Sequence, residues 1–305
     1  MRVVAFTAFG AAPAIQDLEV PAPGDGEVRV RVHAASLNGF DLAVANGYLE
    51  GMMEHRFPVV LGKDFAGTID AVGPGVEGYT AGDRVFGVVT KAFLGDGSLG
   101  EYVTVPTAVG LAKLPDAVSF TDGAALGLAG SAAVDAVAAA ALEPGQRVLV
   151  SGATGGVGNW VVQLAARAGA TVIATAHTDE EKALVTGLGA TETADYTGDL
   201  AAQVKDVDAV FHLAGDPAVL LGVLRGGGRF VSTLIGSPDQ LPTREHTVSP
   251  IFANPAAGTL DRLAGHQERA EARVVVERVY PLDEALAAIA HFGGGTKGKI
   301  VVTVA

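Results

Sequence analysis

The stretch "SGATGGVGNWVVQLAARAGATVIATA", residues 151–176, decides how the chain folds. The apolar-leaning run Arg147–Ser151 leads into it. A glycine cluster, Gly155, Gly156 and Gly158, follows at once and opens a helical pattern. A second short apolar run, Thr171–Thr175, comes next. Glycines at a strand-to-helix junction have a mechanical meaning. The turn must be tight, and backbone must approach a ligand with no Cβ in the way. The free amides at the helix start, with their partial positive charge, suit a pyrophosphate. Written out, Ala153-Thr154-Gly155-Gly156-Val157-Gly158 is A-x-G-x-x-G, a variant of the dinucleotide fingerprint with Ala at the first position. The strand before it, the amphipathic helix after it and the next strand favour a nucleotide loop. They weigh against a turn that only packs a helix on a sheet.

Working outward, strands are expected at Arg147–Ser151, Thr171–Thr175, Glu192–Asp195, Ala209–Leu213 and Arg229–Thr233. Helices are expected at Gly156–Arg167, Asp179–Leu188, Ala201–Gln203 and Pro217–Leu224. This alternation argues for an α/β fold with a doubly wound parallel sheet. The first ~115 residues read differently. "VRVRVH" at Val28–His33 alternates, and Gly/Pro/Asp clusters separate further short runs, as in a small antiparallel β barrel. After Asn254-Pro255 come a helix, a strand at Arg273–Val279, a helix at Leu282–His291 and a last strand at Lys299–Val304.

The 305 residues suit two domains. The net charge is −13, from 34 acidic against 21 basic residues, which weighs against nucleic acid as the main partner because phosphate neutralisation needs a basic face. There is no cysteine, so disulfides and Cys-ligated zinc are excluded. The seven histidines include no i, i+4 pair, and no metal is expected. The apolar run of "MRVVAFTAFG" is too short for a signal peptide. The most membrane-like stretch, Gly123–Leu142, carries Asp135 at its middle, costing roughly 3 kcal/mol at a bilayer centre. It reads as a closely packed buried helix, and a cytoplasmic protein without membrane partners is expected.

The end of the second strand bears on the cofactor. An NAD site wants Asp or Glu there for the ribose hydroxyls. Here Thr175, Ala176, His177 and Thr178 occupy the tip, with Lys182 beyond them. A 2′-phosphate would meet hydroxyls, an imidazole and a lysine, so NADP(H) is expected. Asp179, Glu180 and Glu181 read as a charged first helical turn favoured by the dipole.

Six stretches in order carry a resemblance: "SLNGFDLAVANG" (36–47), "FPVVLGKDFAGTIDAVGPGV" (57–76), "GDRVFG" (82–87), "GSLGEYVTV" (97–105), "SGATGGVGNWVVQLA" (151–165) and "GGTKGKIVVTV" (294–304). Over nearly its whole length the chain resembles the zinc-independent quinone oxidoreductases of the medium-chain dehydrogenase/reductase superfamily, the group that includes the lens zeta-crystallins. The resemblance implies a GroES-like β-barrel catalytic domain from residues 1–118 and 267–305, and a Rossmann NADP(H)-binding domain at 119–266. It implies NADPH as hydride donor, substrate in the cleft between domains, and a homodimer formed through the cofactor domain. Gly155, Gly156, Val157 and Gly158 fall on the pyrophosphate loop. Tyr196 matches a tyrosine near the adenosine phosphate. Leu213, Ala214 and Gly215 border the ribose. Leu234, Ile235 and Gly236 lie beside the nicotinamide, Phe252 to Asn254 close over it, and Asn38 is near it. Zinc-dependent relatives carry Cys near Asn38–Asp41 and Gly-His-Glu near Gly62; here Lys63 and Asp64 stand instead. Three departures are Glu181, near which the best-known bacterial relatives have a lysine for the 2′-phosphate, Ala43, where relatives often have tyrosine, and Ala132, where they often have threonine. At the last only the neighbouring Ser131 offers a hydroxyl.

The expected reaction is hydride transfer to a small electrophile, a quinone or an α,β-unsaturated carbonyl. Charge then develops on oxygen and needs a hydrogen-bond donor and a proton. Asn38 and Tyr48 are the candidate catalytic residues. The alternative is a non-catalytic NADPH-binding redox sensor or crystallin-like protein, which Ala43 and Ala132 favour.

Overall fold

The computed structural model describes residues 1–241 and 243–304. The chain forms two compact units, Met1–Leu128 with Pro255–Ala305, and Ala129–Asn254.

The first unit opens with β1 (Arg2–Phe6), β2 (Ala14–Asp17) and β3 (Glu27–Ser36), followed by helix α1 (Gly39–Ala45). Then come β4 (Glu54–His55), β5 (Val59–Val60), β6 (Asp64–Val72), β7 (Arg84–Val88), β8 (Phe93–Leu94), β9 (Tyr102–Pro106) and β10 (Leu111–Lys113). The β3 pattern shows why the strand forms. Val28, Val30 and Val32 are fully buried while Arg29 and Arg31 alternate outward, the period of a half-buried strand. Together with Val4, Phe6, Phe65, Ile69 and Leu99 they make the core of this unit. Each such side chain contributes roughly 1.5–3 kcal/mol on burial.

Helix α2 (Phe120–Ala140) follows. It is long and apolar enough to cross a membrane, but 67% of its most apolar window is buried within the protein, in keeping with a closely packed helix.

The second unit holds β11 (Arg147–Ser151), α3 (Gly156–Arg167), β12 (Thr171–Thr175), α4 (Asp179–Gly187), β13 (Glu192–Ala194) and α5 (Leu200–Gln203). It continues with β14 (Val207–His212), α6 (Pro217–Leu221), β15 (Leu224–Ser232) and β16 (Thr247–Pro250). The sheet order is β13-β12-β11-β14-β15-β16, and every pair is parallel. This is the doubly wound order, with its switch between β11 and β14. Two local expectations are corrected. β15 begins at Leu224, where the sequence suggested the end of α6; the run Gly226–Gly228 masks the strand. β16 went unpredicted because it is short, half-buried and ends in Pro250, which only an edge strand tolerates.

The chain then returns to the first unit through α7 (Ala257–Glu268), β17 (Val276–Pro281), α8 (Ala285–Gly293) and β18 (Lys299–Thr303). β18 pairs antiparallel with β3 through Val301–Ser36 and Val302–Ala35, and β17 pairs parallel with β18. The barrel sheet, β10-β7-β6-β3-β18-β17 with β9 also on β3, is therefore mixed rather than wholly antiparallel. The units divide at 128/129 and 254/255, against 118/119 and 266/267 from sequence. The second difference arises because α7 packs on β10.

Candidate functional site

In the second unit β11 ends at Ser151 and α3 begins at Gly156. Gly152 adopts φ +81°, a conformation that favours glycine. A Cβ on Gly158 would lie 2.1 Å from the Gly152 carbonyl oxygen and 2.7 Å from Ala153 Cα. Glycine at 158 is thus what lets α3 start against the turn. Gly155 is the N-cap and no side chain among the described residues caps the helix, so its first amides are left for an external acceptor. A dinucleotide pyrophosphate fits that cradle. Gly152 was overlooked in the sequence because it lies one residue ahead of the fingerprint's first position.

Thr175 is buried, and its hydroxyl accepts the Gly152 N–H at 3.0 Å, tying the tip of β12 to the loop. The other segments follow the C-terminal ends of neighbouring strands and are stitched to one another. Ser151 Oγ donates to the Ala214 carbonyl at 2.7 Å, and Leu213 N–H to the Ser151 carbonyl at 3.1 Å. Gly215 has φ +91°. Buried His212 lies 2.9 Å from Ser232 Oγ through Nδ1 and 3.2 Å from the Gly215 carbonyl through Nε2. Burial holds its pKa below the usual histidine value, against the opposing hydrogen bond to Gly215. Ser232 Oγ also takes the Leu234 N–H at 3.0 Å, and its carbonyl takes the Ile251 N–H at 2.7 Å. Leu213–Gly215, Leu234–Gly236 and the segment leading to Phe252 are thereby brought to one sheet edge, where ligands of open α/β sheets bind. Leu234 and Phe252 are exposed, at 57% and 73%. Asn254 N–H donates to Asp135 of α2 at 2.8 Å, one turn beyond Ser131. Ser131 is fully buried, and its hydroxyl has no partner among the described residues.

At the β12 tip stand two carboxylates, Asp195, which sequence reasoning missed, and Glu181, which it read only as part of a charged helical turn. His177 Nδ1 lies 3.0 Å from both oxygens of Asp195. The Thr197 backbone amide, the Thr197 hydroxyl and His177 together hold the Asp195 carboxyl down at about 2. Glu181 accepts the N–H of His177 at 2.6 Å and of Thr178 at 3.3 Å, and the Tyr196 hydroxyl at 3.2 Å. Burial pushes its pKa up, but these hydrogen bonds outweigh burial and leave it below the usual value. Thr178 and Glu181 close a capping box on α4. Lys182 lies in the first turn of that helix, and Tyr196 is half exposed. Asp195 lies 18 residues from His177, so no local pattern announced the pair.

Asn38 and Tyr48 belong to the first unit. Asn38 caps α1, and its N–H donates to Asp41 Oδ2 at 2.8 Å. Its amide oxygen accepts from Lys299 Nζ at 2.6 Å, and its amide nitrogen donates to Asp64 Oδ2 at 3.0 Å. Asp64 also accepts from Ser36 Oγ at 2.9 Å, from Lys299 at 3.3 Å and from the Leu128 N–H at 2.7 Å. Lys299 donates further to the Leu37 carbonyl at 2.8 Å. Asn38, Asp41, Asp64 and Lys299 are all buried. The Asn38 side chain is thus held inside a polar cluster. Tyr48 is 72% exposed, and its hydroxyl has no protein partner among the described residues. Burial, and then the neighbouring Asp64 charge, raise the Asp41 carboxyl to about 7. Among the described residues no three His, Asp or Glu side chains gather as a metal site.

Residues 24–116 match the alcohol dehydrogenase GroES-like domain, and residues 188–302 match the zinc-binding dehydrogenase domain. The chain is 33% identical to the chloroplast envelope quinone oxidoreductase homolog of Arabidopsis thaliana, across 93% of this chain and 91% of that protein. The solved quinone oxidoreductase of Coxiella burnetii superposes with a TM-score of 0.90 at 26% identity, covering 100% of this chain and 99% of the other. A solved NAD-dependent alcohol dehydrogenase superposes with a TM-score of 0.89 at 30% identity, covering 100% of both chains. A GroES-like barrel and a doubly wound sheet with a glycine loop after its first strand define an oxidoreductase that uses a nicotinamide dinucleotide. Within that class, the chain belongs to the quinone oxidoreductase group of the medium-chain dehydrogenase/reductase superfamily.

Proposed function

We propose that the protein is a zinc-independent, NADPH-dependent reductase of quinones or α,β-unsaturated carbonyls. The observation that carries the reading is the Gly152–Gly158 turn, whose uncapped helix amides and absent Cβ atoms suit a pyrophosphate. When bound, the dinucleotide supplies the hydride; the protein orients the reaction and handles charge and proton. Ser131, the unpartnered hydroxyl of α2, is assigned to the nicotinamide end, together with Leu234–Gly236 and Phe252–Asn254. The free hydroxyl of Tyr48 is assigned as hydrogen-bond donor to the acceptor oxygen, and Asn38 caps the helix that precedes it. Zinc independence rests on the absence of cysteine and on Lys63 and Asp64 following Gly62. We place the protein in the cytoplasm, as a homodimer. The outer edge of β16, unpaired among the described residues, is the natural seam for a second copy.

Preference for NADPH follows from the strand tip, where His177 stands instead of an acid. A second reading, NADH, draws on Asp195 and Glu181, two carboxylates that would repel a 2′-phosphate. Titration of both reduced dinucleotides, followed by turnover with a panel of quinones and enones, decides. NADPH should bind at least about tenfold tighter, a difference of about 1.4 kcal/mol. Equal or reversed affinities would give the site to NADH. Tight binding with no oxidation by any acceptor would favour the non-catalytic sensor.

A further inference from the structure

The end of β12 carries a histidine whose two ring nitrogens are not equivalent. Thr175 fixes the strand tip against the glycine turn, its hydroxyl taking the Gly152 N–H at 3.0 Å. His177 stands two residues further on. In doubly wound sheets this position meets the 2′ oxygen of the adenosine ribose when a dinucleotide lies on the turn. All of these residues belong to the second unit.

His177 Nδ1 faces acceptors only. Both Asp195 oxygens lie 3.0 Å from it. Thr197 Oγ1 lies 3.2 Å from it, but the Thr197 hydroxyl donates its own proton to Asp195 Oδ1 at 2.8 Å. Nδ1 therefore carries a hydrogen whether the ring is neutral or charged. No hydrogen bond among the described residues involves Nε2, and the side chain is 46% exposed. The two carboxylates nearby are already engaged. Asp195 takes the Thr197 amide and hydroxyl and the His177 ring, and Glu181 takes the His177 and Thr178 amides and the Tyr196 hydroxyl. Held at about 2 by the Thr197 amide and hydroxyl and by His177, the Asp195 carboxyl is ionised throughout the neutral range.

With Nδ1–H fixed, the charge of the ring decides what Nε2 can do. In the neutral ring Nε2 is a bare lone pair, which accepts from a ribose 2′-hydroxyl. In the imidazolium it is a charged donor, which suits a 2′-phosphate. We propose that the His177–Asp195 pair selects the cofactor by its proton: the imidazolium takes the 2′-phosphate of NADPH, and the neutral ring takes the 2′-hydroxyl of NADH. This rests on the dinucleotide reading above and ties its NADPH preference to the charged ring. Asp195 is a positioning residue, because it fixes which nitrogen is turned to the ligand. Asp195, Glu181 and Tyr196 surround the ring, and Asp179, Glu180 and Lys182 share the first turn of α4. The acids favour the imidazolium, and Lys182 adds positive charge on the side of the phosphate.

The test is calorimetric titration of the full-length protein with NADPH and with NADH between about pH 7 and pH 8.5, above the second ionisation of a phosphate monoester near about 6. The ratio of NADPH to NADH affinity should fall about tenfold across that interval, as one proton is lost from the complex. In His177→Gln the ratio should stay flat. Asp195→Asn should weaken NADPH about tenfold at pH 7 and leave NADH roughly unchanged, since the ring loses the charge that stabilises its second proton. Nitrogen NMR of labelled histidine, with the His177 signals identified by their loss in His177→Gln, should show both ring nitrogens protonated in the NADPH complex and only Nδ1 in the NADH complex. A ratio that does not change with pH in the parent overturns the inference, as does a slope that persists in His177→Gln. Tighter NADPH binding by Asp195→Asn also overturns it, because Asp195 would then act only by repelling the phosphate. A parent protein that binds neither dinucleotide brings down the dinucleotide reading together with the inference, and NADH preferred at every pH removes the NADPH reading with it. Both results are distinct from an NADPH preference that ignores pH.

Discussion

Gly158 has no tolerance for a methyl group. A Cβ there would stand 2.1 Å from backbone oxygen, which cannot swing aside as a side chain would. Gly158→Ala should destabilise the protein by about 1–3 kcal/mol in denaturant unfolding and weaken dinucleotide binding by tenfold or more. Unaltered affinity would remove the loop assignment. Asp41 carries the other residue-scale prediction. Its carboxyl titrates near 7 in the folded chain, against an ordinary value of 3.8. A raised acid stabilises fully below its unfolded pKa, and that contribution is lost as the pH climbs to the folded value. Asp41→Asn should therefore gain stability over the parent between about pH 4 and pH 7 and keep the gain above, read as midpoints of urea unfolding across pH. A difference independent of pH would refute the assignment. At this scale the glycine turn was legible, because a strand, three glycines and a helix are adjacent in sequence. The Asp195–His177 and Asp64–Lys299 pairs were not, because they join residues 18 and 235 apart that only the fold brings together.

The polar cluster is a matter of elements. Ser36 ends β3, Asp64 begins β6 and Lys299 begins β18, so one buried ion pair marks where three strands meet. Gly127 of α2 makes room for it: a Cβ there would come 2.6 Å from Asp64 Oδ1. Removing one partner strands a buried charge, which is far costlier than losing a surface pair. Lys299→Met should cost about 3–5 kcal/mol, and the double change with Asp64→Leu should recover much of it; additive losses in thermal unfolding would show that the two do not act as a pair. Sequence periodicity identified β3, β11 and β12, whose apolar residues recur without interruption. It misjudged β15, whose triple glycine hides the pattern, and missed β16, whose edge position removes the need for one. At the ligand end, Thr175 was legible as a strand-tip hydroxyl, but its bond to Gly152 was not, since that depends on the parallel register of β11 and β12.

For the whole molecule, the alternation of strands and helices after residue 146 and the β-rich start were enough to indicate two units and their order. The exact limits were harder, because α7 belongs by packing to the barrel and by sequence to either side. With a net charge of −13, copies repel at long range, so association needs a short-range seam such as an unpaired strand edge. Sedimentation at physiological salt should give twice the 30.8 kDa chain mass. A single-chain mass throughout the micromolar range would discard the dimer.

The late position of β18 bears on how the protein is made. A nascent chain leaving the ribosome carries Asn38 and Asp64 long before Lys299 exists to bond the one and neutralise the other. The six strands of residues 147–250 are contiguous and can assemble in the meantime. The barrel must wait with β3 uncovered on one flank at residues 34–36, since β9 already covers residues 27–31. Its completion therefore waits on β18, and a chain cut short before residue 299 would leave that stretch open to chaperones or to other unfinished copies.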